Sequence, residues 1–417
     1  MVLRVKIPSK ITNFFVYGLG QSINLLSPLI VMPYLIKICQ EDGLGKIGIA
    51  FSICLILNCI VDYSSYLNGT KEIVINKKNL SFLSQKVSDI YTYKTIICIL
   101  LLCLFFIIIL LFPTIKEKKL LVLSLPIILS QLLNPNWLLQ GLEQFKLIAI
   151  LNILSKVIYI SCIFLFIKNR EDYIWANFFL GISGVLVYFF SFLYINYKFN
   201  LKFSIRNIYR GINIIKNDFN ICLSEFCLSI YQYFPILIVG YFTGNSTAGI
   251  YRVIEQIFSI FRTFIFMFFN FSYPTVCYDI ENNLKNGLKT WKLYHSANLV
   301  IIFIGCSLVF VFSNYILDFF HVTATDKQEL TFILKFAIIV PILLVISQSL
   351  RQLMFALNLS SFYTRIIYFS CSLSVILLSL LVYQIGLVGS FISMIIIEII
   401  VVILYLIIIR KKYNKVI

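Results

Sequence analysis

The sequence predicts an all-α integral membrane protein of about twelve transmembrane helices, arranged as two halves of six. Three observations carry that class. Apolar stretches long enough to cross a bilayer, which takes about 20 residues, recur a dozen times along the 417 residues. Hydrophobic residues make up 60% of the chain and charged residues 13%, with a mean hydropathy of +0.93, a profile outside the soluble classes. Lys and Arg fall in alternate connections, 21 on one side against 8 on the other. Lipid offers a free backbone group no partner, so the spans are helices. The short alternating pattern of a membrane β-barrel is absent.

Taken in order, the spans run roughly over residues 12–37, 44–68, 89–113, 120–140, 147–167 and 174–197 in the first half. The second half has roughly 218–242, 249–277, 293–320, 329–356, 362–385 and 387–409. Met1 to Lys10 is basic, but the apolar segment after it spans and lacks a small-residue cleavage site, so it is expected to remain as the first helix. The longest connection, basic from Lys198 to Lys216, divides the chain into a bundle over 1–200, a linker over 201–217 and a second bundle over 218–417. The richer basic set includes both termini and this linker, which places them in the cytoplasm. The net charge of +17 is therefore an orientation signal rather than a mark of nucleic-acid binding. The opposite connections, such as Ile38–Gly43 and Thr243–Ala248, are very short, so function must reside in the membrane.

The most informative span is the eighth. Arg252, Glu255 and Arg262 interrupt an otherwise apolar run. At about 100° per residue they share a sector roughly 120° wide with Gln256, Ser259, Thr263 and Asn270. An Arg at the bilayer centre costs at least ~2.5–3.5 kcal/mol, so such a stripe faces protein or a watery cavity. Arg252 and Glu255 could simply pair as i, i+3 neighbours, which would leave Arg262 without a partner one turn away. Elsewhere, Gln21, Asn24 and Pro28 share a face of the first helix with Tyr17. Asp62 lies near the inner end of the second, and Lys156 is in the middle of the fifth beside Asn152. Glu225, Ser229 and Gln232 line the seventh, Lys335 and Arg351 lie on the tenth, and Glu398 is within the twelfth. Lys94 is expected to snorkel to an interface. The remaining five cations and four anions would cost on the order of 25 kcal/mol if left in lipid, so they are expected to turn inward. Some will be ion pairs that join helices, with Glu398 and Lys335 the expected members of that group.

Several apparent motifs carry no chemistry. Gly43-Leu44-Gly45-Lys46-Ile47-Gly48 fits a dinucleotide fingerprint but has no βαβ context and reads as a tight turn. Asn68-Gly69-Thr70 is a formal glycosylation sequon on the cytoplasmic side. No Walker A sequence is present, and His295 and His321 are the only histidines, so neither ATP hydrolysis nor a histidine metal site is expected. No Ser/His/Asp set points to catalysis, and no cofactor is implied. The 11 cysteines lie mostly in apolar runs at spacings that match neither redox nor zinc motifs.

Tyr17, Gln21, Asn24, Pro28 and Pro33-Tyr34 precede the Gly43-Leu44-Gly45 turn. Val61-Asp62-Tyr63-Ser64, Gly69-Thr70-Lys71-Glu72-Ile73 and Asn136-Trp137-Leu138-Leu139-Gln140-Gly141-Leu142-Glu143 follow. Gly240-Tyr241-Phe242, Gly249-Ile250-Tyr251 and Tyr273-Pro274 complete the series. In this order the residues resemble the Wzx-type O-antigen and capsule repeat-unit flippases, the polysaccharide transport family of the MOP exporter superfamily. The likeness covers the first two-thirds of the chain by motif and the rest by topology; Ser64 stands where that family often has Gly. It implies two six-helix bundles in a V around a central cavity, in the bacterial cytoplasmic (inner) membrane. The implied substrate is an undecaprenyl-diphosphate-linked oligosaccharide, moved by alternating access without a cofactor, with other polysaccharide-assembly membrane proteins as partners. On that reading Arg262, Arg252, Lys156, Arg351, Gln21 and Asn24 bind substrate, because cations hold phosphate oxygens and amides hold sugars. Glu255, Glu225 and Asp62 are the candidates for H+ or Na+ coupling.

Two alternatives share part of this pattern. A multidrug or small-metabolite antiporter of the same superfamily would have the same architecture but a cavity favouring carboxylates. A membrane polysaccharide polymerase or glycosyltransferase would need a larger outer loop than this chain has.

Overall fold

The structure, a computed structural model, describes residues 7–77, 79–113, 117–199, 208–322 and 327–413, and the side chains of 7–19, 21 and 413 lie outside that description. All regular elements among the described residues are helical. α1 (Ile7–Asp62) is followed by a π-helical turn (Ser65–Gly69), α2 (Thr70–Asn76) and α3 (Leu80–Leu111). One crossing is then assembled from three pieces, α4 (Lys118–Ser124), α5 (Pro126–Leu133) and α6 (Asn136–Gly141). Pro126 and Pro135 stand at the breaks, where a missing N–H cannot continue the ladder. α7 (Phe145–Phe166), a 3-10 turn (Arg170–Trp175) and α8 (Ala176–Lys198) lead to the short α9 (Ile208–Asn217).

The chain continues through α10 (Phe219–Thr243), α11 (Asn245–Asn282), α12 (Leu284–Val311) and α13 (Ser313–Phe319). α14 (Lys327–Ala337), α15 (Ile339–Ala356) and α16 (Ser360–Tyr413) complete it. Among the described residues ten helical stretches are long and apolar enough to cross a membrane. Two of them, Ser22–Asp62 and Ser360–Lys412, hold 41 and 53 residues, enough for two crossings each. That gives the twelve crossings the sequence predicts, in a multi-pass membrane protein.

The double-length helices show how little chain a membrane turn needs. The loop expected at Ile38–Gly43 is a single non-helical residue, Gln40, at φ 58°. α16 turns in the same way at Ile385 and Gly386, where Gly386 takes φ 61°.

By compactness the chain forms two units, Met1–Cys39 with Lys46–Ser229, and Gln40–Gly45 with Ile230–Ile417. In the first, α5 and α7 pack on α8, and α9 lies along α3. Its core gathers Tyr91, Tyr93, Trp137, Ile73 and Leu139. The quoted motif residues meet here. Thr70 donates to the Trp137 carbonyl at 2.9 Å, Tyr63 to the Ile215 carbonyl at 2.6 Å, and Asn68 to Asp218 at 2.9 Å. The Ser64 hydroxyl also donates to Asp218.

In the second unit α11 packs on α12 and α15, and α15 on α16. Its turn Gln40–Gly45 meets the start of α11 backbone to backbone. A Cβ on Gly45 would overlap the Asn245 carbonyl, and one on Gly249 would overlap the Glu41 carbonyl. With lipid as solvent there is little hydrophobic drive between helices, and small residues that admit close approach take its place.

Candidate functional site: charged groups inside the spans

α11 is helical throughout 38 residues, so Arg252, Glu255 and Arg262 keep the common face that their spacing predicts. Glu255 is buried, at 6% exposure, and both arginines reach it. The Arg252 Nη1 lies 2.5 Å from one carboxylate oxygen, and the Arg262 Nη1 lies 3.4 Å from the other. Arg262 is therefore not left without a partner; two long side chains close a gap of two helical turns. The contacts are unequal, since charge-assisted N–H···O bonds usually measure about 2.7–2.9 Å. Two cations share one anion, and the cluster carries one net positive charge. Of the rest of the stripe, Gln256 is buried and Asn270 is exposed. Ser259 and Thr263 spend their hydroxyls on carbonyls of their own helix.

Glu398, on α16, is buried and lies within electrostatic reach of Arg262. The Tyr231 hydroxyl donates to it at 2.6 Å. Among the described residues no cation pairs with it, and none of the acids pairs with Lys335, which sits 5.0 Å from the centre of the Phe310 ring. The expectation that these two residues form interhelical ion pairs is thus corrected, to a tyrosine-capped carboxylate and a cation on an aromatic face.

Arg351, on α15, also lies in the second unit. Its guanidinium lies 5.2–6.0 Å from the centres of four rings, Tyr363, Phe355, Phe269 and Phe266. Nη1 donates to Gln348 at 3.1 Å, and the buried Nε has no hydrogen-bond partner among the described residues. No carboxylate pairs with it there.

In the first unit Asp62 accepts from four donors: Lys94 Nζ at 3.0 Å, Ser65 at 2.7 Å, Gln131 at 3.1 Å and the Tyr66 N–H at 3.3 Å. Lys94 does not snorkel. Its side chain is 0% exposed, held inside by an acid 32 residues away. Lys156, half-buried, has the Tyr159 ring 5.8 Å from its Nζ and no acid paired with it among the described residues. α1 and α7 run side by side in the same direction. A Cβ on Gly20 would fall 2.6 Å from the Ala149 Cα, and farther along Tyr34 donates to the Ile167 carbonyl at 2.8 Å. Asn24 and Lys156 both fall in the stretch between those contacts. Asn24 and Glu225 are half-buried, and each has a partner. Gln21 lies on the same turns of α1, but its side chain is outside the described residues.

The structure therefore brings together Arg252, Glu255 and Arg262, while Arg351 makes its own contacts on the aromatic rings. Sequence reading missed Lys94 and the His295 network described below. Only the rarity of Lys and His inside apolar runs pointed to either. Among the described residues no cluster of His, Cys, Asp or Glu has metal-site geometry.

Comparison with known proteins adds the wider context. The sequence is 20% identical over 308 residues to the curated "Putative O-antigen transporter" of Escherichia coli (strain K12), covering 71% of this chain and 74% of that one. The fold matches an inward-facing multidrug resistance MATE family transporter of the MOP superfamily, with a TM-score of 0.69 at 13% identity over 97% of this chain and 95% of that one. It matches the lipid II flippase MurJ in an inward closed conformation equally well, with a TM-score of 0.69 at 18% identity over 97% and 88%. The MOP fold implied by the motifs is therefore present. A family model described as polysaccharide biosynthesis protein matches residues 11–277, well over half of the chain, and the protein belongs to that family.

Proposed function

We propose that this protein is a flippase. It moves an undecaprenyl-diphosphate-linked oligosaccharide from the inner to the outer leaflet of the bacterial cytoplasmic membrane by alternating access, with both termini in the cytoplasm. The observation that carries the reading is Arg262. It is a guanidinium in the body of a membrane span, loosely held by a carboxylate that Arg252 already occupies. Most of its donors remain for an incoming anion, and a diphosphate is the anion that this family's lipid-linked substrates present. Lys156, Asn24, Gln21 and Arg351 supply further phosphate and sugar contacts. Glu255 and Glu225 are assigned to H+ or Na+ coupling, while Asp62, with its four donors, is assigned to holding the first unit together. Counting Lys94, six cations stand against four anions within the spans. That balance favours an anionic cargo over the cationic drugs of an antiporter with the same fold.

The test is Arg262→Ala. A charge-assisted contact contributes ~1.5–3 kcal/mol, so binding of the lipid-linked oligosaccharide to purified protein should weaken by roughly 10- to 150-fold. Arg262→Lys should recover part of this, keeping the charge but losing the forked geometry. Complementation of surface polysaccharide in a strain lacking its flippase should follow the same order. Unchanged binding and complementation by well-folded Arg262→Ala would refute the assignment and reduce the residue to a helix tie.

A further inference from the structure

A histidine in the second unit is surrounded by more hydrogen-bond acceptors than a neutral ring can satisfy. His295, on α12, is buried, at 8% exposure. Its Nε2 lies 2.8 Å from Gln352 Oε1 and its Nδ1 lies 2.7 Å from Ser349 Oγ. The orientation of Gln352 is fixed, because its amide NH2 donates to the Phe269 carbonyl at 3.0 Å and to Ser272 Oγ at 2.9 Å. Its oxygen therefore faces the ring, and the contact needs a hydrogen on Nε2. Ser349 has one hydrogen and two short contacts, to Nδ1 at 2.7 Å and to the Val345 carbonyl at 2.6 Å. With Nε2 protonated and Nδ1 bare, that one hydrogen cannot serve both. With the other tautomer, Nε2 and Gln352 Oε1 meet as two acceptors. Either neutral form leaves one short contact without a hydrogen. The imidazolium fills every one: Nε2–H to Gln352, Nδ1–H to Ser349, and Ser349 O–H to Val345.

The surroundings suit a cation. The Trp291 ring lies 5.1 Å from the His295 ring, centre to centre, and is anchored by its own N–H to the Ser349 carbonyl at 3.1 Å. An aromatic ring at this distance attracts positive charge. The other ionisable groups close in sequence to this network lie on the same three helices. On α12 they are Lys292, which is exposed, and Tyr294, packed on Phe268 and Phe271. On α11 they are Tyr273, Cys277 and Asp279, the last of which accepts from Thr290. On α15 there is Arg351, next in sequence to Gln352. Phe269 belongs to both sites: its carbonyl holds Gln352 and its ring lies 5.8 Å from the Arg351 guanidinium.

We propose that His295, Ser349 and Gln352 form a proton-binding site, and that a proton bound there and an anion held at Arg351 favour each other. A second positive charge beside Arg351 strengthens an anion's hold, and by linkage the anion strengthens the proton's by the same factor. Uptake forms the Nδ1–H bond and breaks one O–H bond of a hydronium ion, which leaves as water, while the Ser349 hydroxyl donates to the Val345 carbonyl. The proton site stands on its own geometry, whereas the link to Arg351 rests on the transport reading above.

The experiment uses the full chain in lipid nanodiscs, prepared without a histidine tag and carrying His321→Gln, so that His295 is the single histidine. Nitrogen-15 spectra of the labelled ring should show passage between pH 8 and 4 to a form with hydrogens on both nitrogens. Ser349→Ala should move the midpoint by about one pH unit to the acid side, because a charged N–H loses its acceptor. Inorganic pyrophosphate should move it to higher pH in this protein but not when Arg351→Gln is added. A ring that stays singly protonated over the whole range would overturn the site, and that readout needs no variant at Ser349. A ring that titrates with no response to pyrophosphate would overturn the link alone. Neither result bears on Arg262, whose binding assay judges the transport reading separately.

Discussion

Asp62 and Lys94 form a pair whose two members should not be equally costly to remove. Lys94 is 0% exposed, and its ammonium is held by Asp62 alone among the described residues, whereas Asp62 is 22% exposed and keeps three further donors. Lys94→Met leaves a carboxylate that is still bonded to Ser65, Gln131 and the Tyr66 N–H, which should cost about 1–3 kcal/mol. Asp62→Asn leaves a buried ammonium without its anion, and stranding a buried charge costs about 3–5 kcal/mol. For a unit of this size each kcal/mol is worth about 2–4 °C of melting temperature, so Asp62→Asn should lower it by about 10 °C and Lys94→Met by clearly less. The double variant should lie above Asp62→Asn alone, since it removes the stranded charge. The assay is thermal unfolding of detergent-purified protein, alongside surface-polysaccharide complementation. Equal losses from the two single variants, or simple additivity in the double, would refute the clamp. A double variant that is stable yet unable to transport would return Asp62 to the coupling machinery.

Two further predictions concern the turn at Gln40 and the sidedness of the chain. Gly45→Ala or Gly249→Ala should destabilise the protein by about 1–3 kcal/mol through forced separation of two backbones, seen as a lower melting temperature. Gly211→Ala, whose new methyl would make only ordinary contacts of 3.5 Å and more, should have little effect. In a cysteine-free background, Ser246→Cys should react with an impermeant thiol reagent in intact cells, while Asn213→Cys should stay shielded until the membrane is opened. The reverse pattern would overturn the assigned orientation.

The spans and the stripe on α11 were legible in the sequence because lipid imposes both. A crossing needs a fixed apolar length, and a charge within it must find protein. What could not be read were partners distant in sequence. Lys94 looked free to reach an interface because nothing in its neighbourhood announced Asp62. Glu398 and Lys335 looked like ion-pair members because charge is visible in a sequence, and a tyrosine hydroxyl or a ring face brought in from another helix is not. The reach of Arg262 to Glu255 was missed for a different reason. Neighbour rules on a helix stop at four residues, but two long side chains leaning toward each other cover seven.

If Arg262 receives the substrate's diphosphate as proposed above, the unequal grip on Glu255 also sets an order of events. An arriving anion meets one guanidinium committed at 2.5 Å and one at 3.4 Å, so it competes for the looser of the two, and the carboxylate need not swing away to admit it. When the anion leaves, Glu255 is still in place, tethered through Arg252, and recaptures Arg262 without a search. Neither entry nor exit then strands a bare charge in the membrane. A carrier that must release its cargo on every cycle needs such reversibility more than it needs tight binding.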